Sequence, residues 1–112
     1  MVPEGGAELC LPRNMKFYYV YILKSLSHNF IYIGFTENLK QRFEEHNSGE
    51  SKSTKPYMPY DIIHYEAYKN IKDAKRREGY LKTNRGKTTL NTMLKEYFSK
   101  VDILKLKKEK VV

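Results

Sequence analysis

Hydrophobic and polar positions along the chain fall into segments of two different periods. Residues 17–24 (FYYVYILK) and 30–35 (FIYIGF) are rich in aromatic and β-branched side chains, which suit a pleated, half-buried surface and predict two strands. Ser25, Ser27, His28 and Asn29 between them predict a hairpin; a loop over residues 24–29 puts Tyr21 directly opposite Tyr32. Alternation sets Tyr19 with Tyr21 on one face of the first strand, and Tyr32 with Gly34 on one face of the second. The period then becomes helical. Thr36 suits an N-cap, Leu39 and Phe43 form a buried stripe, and Gly49 supplies a stop after about Ser48. Residues 49–59 (GESKSTKPYMP) form a polar, proline-containing loop, and residues 61–68 (DIIHYEAY) a third strand. Asn70 caps a second helix, with Asp73 in a capping-box position, and this helix runs to about Thr83. Asn84, Arg85 and Gly86 predict a break, followed over residues 89–100 by a third helix bearing Leu90, Met93, Leu94 and Tyr97. The order is β-β-α-β-α-α, an α+β fold with a small three-stranded, antiparallel or mixed sheet flanked by helices. Residues 1–14 lack periodicity and read as a disordered leader, residues 15–100 as the domain, and residues 101–112 as a basic tail.

Two helices carry residues that break their own pattern. In the second, Ile71, Ala74 and Leu81 mark the apolar face, and Glu78 falls among them. A carboxylate there is costly unless it is paired or binds a metal. An ion pair with Lys75 or Lys82 is the plainer explanation, and a metal ligand facing the sheet the functional one. In the first helix Arg42 and His46 flank Leu39 and Phe43 instead of joining the charged outer face. Arg42 is suited to grip a phosphate through two parallel hydrogen bonds. Taken alone, His46 reads as a satisfied boundary histidine. A cation and a carboxylate converging on one sheet face make a phosphodiester site. Gly34 has no side chain, so a backbone or a phosphate can approach it closely.

Charge changes the picture. The 112-residue chain carries 21 Lys and Arg against 13 Asp and Glu, a net charge of +8. Such an excess keeps a protein soluble, but it also displaces the counterions condensed on a nucleic-acid backbone. Nucleic acid is the partner it favours, ahead of a ribosomal or acidic-protein partner. Lys52, Lys55, Lys105, Lys107, Lys108 and Lys110 are the candidate phosphate contacts. Ten Tyr and five Phe with no Trp exceed what a core of this size needs, and a tyrosine hydroxyl can hydrogen-bond phosphate. Cys10 is the only cysteine, which excludes an intramolecular disulfide or a cysteine-rich metal cluster. No apolar run approaches the roughly 18–20 residues that span a bilayer, and residues 1–14 lack a signal-peptide core, so a cytoplasmic protein is expected.

Tyr19-Val20-Tyr21, then Tyr32-Ile33-Gly34, then Arg42 ten positions after Tyr32, resemble the GIY-YIG nucleases. The stretches YYVYILKS, FIYIGFTENLKQRFEEHNSG and KRREGYLKTNRGK resemble their short stand-alone bacterial members, akin to the nuclease domain of the bacterial repair excinuclease. The likeness spans about Lys16 to Lys100. It implies an endonuclease dependent on magnesium or manganese, acting on DNA rather than RNA, in repair or recombination. By the same resemblance Tyr21, Tyr32, Arg42 and His46 are catalytic and Glu78 holds the metal. Gly34 and Asn84, the nearest asparagine after the glutamate helix, are accessory. Two positions depart from the pattern: Tyr19 replaces the first motif's glycine, and Phe35 stands where several active relatives carry lysine. The alternative is a non-catalytic nucleic-acid-binding protein that keeps the fold.

Overall fold

The computed structural model describes residues 16–108, with side chains as far as residue 101. The leader at residues 1–14, with Cys10, lies outside the described residues, as do Lys110 and the side chains of Lys105, Lys107 and Lys108. In chain order the elements are β1 (Tyr18–Ser25), β2 (Ile31–Thr36), α1 (Leu39–Asn47), a 3-10 turn (Lys55–Tyr57), β3 (Tyr60–Tyr68), α2 (Ile71–Leu81), α3 (Asn84–Met93) and α4 (Lys95–Lys108). The sheet is antiparallel throughout, in the order β2-β1-β3. The α+β class and element order are those the pattern implies, with the last helical stretch divided at Leu94 into α3 and α4. The chain separates between Glu78 and Gly79 into two compact units.

The first unit is built around β1. Val20, Tyr21, Ile22 and Leu23 are all buried, because the central strand is covered on both faces. Tyr21, Leu23 and Tyr60 form a cluster against which Tyr32, Leu39, Phe43 and Ile62 pack, so α1 lies over this face. On the opposite face Arg77 of α2 grips Glu66 of β3, with Nε 2.9 Å from the carboxylate, and Lys75 places its Nζ 4.2 Å from the centre of the Phe35 ring. Asn47 clamps the end of α1 to β3: its Oδ1 accepts from the Tyr60 amide at 2.6 Å and its Nδ2 donates to the Tyr60 carbonyl at 3.1 Å.

Two local expectations are corrected. The hairpin pairs Tyr21 with Gly34 and Leu23 with Tyr32, two residues away from the expected register. The loop is shorter because Ser25 stays in β1: its amide donates to the Phe30 carbonyl at 2.9 Å, and its Oγ accepts from the Ser27 and His28 amides. A shift of two preserves the face, so Tyr21 and Tyr32 remain neighbours. The cap of α1 is Asn38, not Thr36, since Asn38 Oδ1 accepts from the Gln41 amide at 3.1 Å.

In the second unit the break comes earlier than expected. Thr83 caps α3 by accepting from the Gly86 amide at 3.0 Å, so Asn84, Arg85 and Gly86 open a helix instead of interrupting one. Gly86 is needed there for space: a Cβ would stand 1.9 Å from the Tyr80 carbonyl oxygen.

Candidate active site

The buried centre of the site is the Tyr21 hydroxyl. Tyr21 is 1% exposed and fixed in the middle of the central strand. Its oxygen is 2.8 Å from His46 Nε2, and His46 Nδ1 is 2.7 Å from Thr54 Oγ1. The Tyr32 ring lies 6.2 Å from that of Tyr21 and 5.0 Å from the His46 ring. Gly34 makes this packing feasible: a Cβ would come within 2.5 Å of the Tyr21 oxygen and 2.8 Å of Tyr32. The close approach at Gly34 is thus made by two tyrosine rings.

Electrostatics draws in the charged residues. Burial pushes the Tyr21 hydroxyl up to about 12; a hydrogen bond from Arg42 opposes this, while Tyr32 and the Glu78 carboxylate reinforce it. Arg42, Tyr32 and Glu78 therefore all act on one hydroxyl. Arg42 is held by Glu45, with 2.8 Å between the charged groups, and this partner raises the already high guanidinium pKa. His46 is pushed down to about 4, mainly by burial and next by the positive charge of Arg42. It is neutral at physiological pH, with both ring nitrogens occupied.

The Glu78 side chain is 16% exposed, and Lys75 Nζ lies 4.0 Å from its carboxylate, so the expected ion pair is present at the limit of contact. Among the described residues no three of His, Cys, Asp and Glu come together as a metal cage. A lone carboxylate still fits magnesium, which keeps several waters and takes one or two carboxylates together with phosphate oxygens. Lys52 and Lys55 are exposed on the loop that also carries Thr54. Asn84 opens α3 in the second unit.

The sequence pattern did not single out Glu45 and Thr54. Glu45 belongs by spacing to the outer charged face of α1, although its three-residue offset from Arg42 is a usable ion-pair signal. Thr54 sits in a polar loop and is nonetheless fully buried, which no local pattern announces.

A family model described as the GIY-YIG catalytic domain matches residues 17–91. The chain belongs to the GIY-YIG family. A UPF0213 protein of Clostridium perfringens is 37% identical to this GIY-YIG chain over 83 residues, covering 73% of it and 84% of the relative. UPF0213 proteins of Staphylococcus haemolyticus and Haloquadratum walsbyi are 37% and 34% identical, covering 59% and 60% of this chain and 80% and 75% of their own lengths. The solution NMR structure of a UPF0213 protein from Bacillus halodurans aligns with a TM-score of 0.45 and 29% identity, covering 69% of this chain and 84% of that one. GIY-YIG domains are nuclease domains with nucleic-acid substrates, so the basic chain and its family agree. Among the described residues no helix is long and apolar enough to cross a membrane.

Proposed function

We propose that this GIY-YIG domain is a divalent-metal-dependent endonuclease that hydrolyses phosphodiester bonds in DNA. The observation supporting this most directly is that the buried Tyr21 hydroxyl sits beside the Tyr32 ring, within reach of the Arg42 and Glu78 charges. A permanent cation, hydroxyls and a half-buried carboxylate are the groups phosphodiester cleavage needs together. Arg42 carries five N–H donors, so pairing with Glu45 orients it and leaves donors for two phosphate oxygens. It neutralises charge that grows on the phosphorane-like transition state. Tyr21, pushed up to about 12, stays protonated at neutral pH and positions the attacking water by hydrogen bonding, with Tyr32 beside it. His46 is neutral and buried, and orients Tyr21. Glu78 holds the ion, whose chemistry when bound is charge neutralisation at the phosphate and the leaving oxygen.

One observation favours a second reading. Lys75 offers Glu78 a cationic partner without any metal, as a binding module would require.

Incubation of the purified protein with branched, nicked and single-stranded DNA and with RNA, in magnesium, manganese or EDTA, tests the proposal. Cleavage is expected with metal and not with EDTA. Glu78→Gln should abolish it while nucleic-acid binding survives, Tyr32→Phe should lower turnover at unchanged affinity, and Arg42→Ala should weaken both. A wild-type protein that binds DNA but cuts none of these substrates with either metal refutes the nuclease reading and leaves the binding module.

A further inference from the structure

We propose that Thr54 is a positioning residue: its buried hydroxyl holds His46 in the Nδ1–H tautomer, so that Nε2 accepts the Tyr21 O–H and the Tyr21 lone pairs face Arg42. The inference rests on the assignment of Tyr21 to the reacting site, and it adds a residue from the loop at 49–59.

The geometry carries it. Thr54 is 0% exposed, as is His46, and Tyr21 is 1% exposed, so their protons must be shared among themselves and their neighbours. Thr54 Oγ1 lies 2.7 Å from His46 Nδ1 and donates to the Ser51 carbonyl at 3.4 Å. His46 Nε2 lies 2.8 Å from the Tyr21 oxygen. A neutral imidazole has one N–H, and each hydroxyl has one proton, which leaves two arrangements. In the first, Thr54 donates to Ser51, His46 Nδ1–H donates to Thr54, and Tyr21 donates to Nε2. The Tyr21 oxygen keeps its lone pairs for Arg42, which can only donate. Every proton then has an acceptor. In the second, Thr54 donates to Nδ1 and Nε2–H donates to Tyr21. The Tyr21 proton would then be turned toward a guanidinium that cannot accept it, and Thr54 would give up its bond to the Ser51 carbonyl. Satisfaction of buried polar groups selects the first.

The consequence is chemical. Tyr21 presents acceptor lone pairs, not a proton, to whatever water or hydroxyl lies beyond Arg42. Thr54 bonds to His46 and to the Ser51 carbonyl, and acts by choosing which histidine nitrogen is bare.

The test is a long-range 1H–15N correlation of the free, metal-free protein at neutral pH, combined with cleavage kinetics. Wild type should show a protonated Nδ1 and an unprotonated Nε2 at His46. Thr54→Val, which keeps the shape and removes the hydroxyl, should shift His46 toward the Nε2–H form. Turnover should fall by about ten- to a hundredfold with KM unchanged, as when other supporting hydrogen bonds to site residues are removed. Thr54→Ser should restore both. An Nε2–H signal in the wild type overturns the proposal, as does a Thr54→Val variant that is folded and unchanged in tautomer or turnover. If Thr54→Val does not fold, the wild-type tautomer and the Thr54→Ser kinetics decide. If the wild type cuts nothing but shows the Nδ1–H form, the nuclease reading fails while the hold of Thr54 on Tyr21 stands.

Discussion

Acidification should destabilise this protein through His46 before it reaches the carboxylates. His46 is fully buried, with Tyr21 on Nε2 and Thr54 on Nδ1. An imidazolium needs acceptors on both sides, so protonation would set Nε2–H against the Tyr21 proton, in the field of Arg42. Burial and that charge hold its pKa at about 4, against 6.5 for the free side chain. Between these values the unfolded chain binds a proton that the folded chain refuses, so stability rises with pH there. The contribution is complete above 6.5 and is lost as pH falls toward 4. At about 1.4 kcal/mol per pKa unit, the shift is worth roughly 3 kcal/mol. A domain of this size loses about 4–8 °C in Tm per kcal/mol, so the effect exceeds about 10 °C. Urea unfolding at intervals from neutral pH to pH 4, for wild type and for His46→Gln, isolates the contribution. Wild type should lose about 3 kcal/mol more than the variant over that range. Parallel stability curves, or an NMR titration of His46 near its free value, would refute the reasoning.

Gly34→Ala should cost about 1–3 kcal/mol, the range for overpacking, because the new methyl would press on a Tyr21 ring that cannot move. Loss of the His46–Tyr21 hydrogen bond in NMR should accompany the fall in Tm, and an unshifted Tm would contradict it. Arg77→Ala should destabilise by about 1–3 kcal/mol, because Glu66 loses its only arginine among the described contacts while keeping Tyr68 and His64. Burial acts to raise the Glu66 pKa, but hydrogen bonds from Arg77, Tyr68 and His64 bring it down to about 2, and its stabilisation is present above 4.5 and lost as pH falls toward 2. In the variant the acid loss should be smaller and end nearer 4.5, as urea unfolding across pH would reveal. Nucleic-acid binding should weaken steeply with salt and depend little on sequence; affinity that is flat from low to physiological salt would remove the counterion-release argument.

The strands were legible because aromatic and β-branched residues mark a pleated surface wherever they cluster, as they do at Tyr18–Leu23 and Ile31–Phe35. The candidate site residues stood out for a related reason. Glu78 and Arg42 violate the helical pattern of their own elements, and a violation is visible without knowing what lies opposite. Hairpin register was harder. It turned on whether Ser25 ended the strand or began the loop, and a side-chain oxygen accepting two loop amides decided it.

Glycine shows where local rules and packing part. Gly86 reads in sequence as a helix breaker, but the second unit uses it near a helix start because the Tyr80 carbonyl leaves no room for a Cβ. Gly34 reads as an opening for phosphate, and two tyrosine rings fill that space. The sequence by itself determined the elements, their order, the positive charge and the chemical kinds of the site residues, since each depends on neighbours a few positions away. Tertiary structure alone decided that Thr54 faces His46 and that His46 faces Tyr21. Those contacts join residues 8 to 25 positions apart, and their protonation follows from burial, a property of the whole fold.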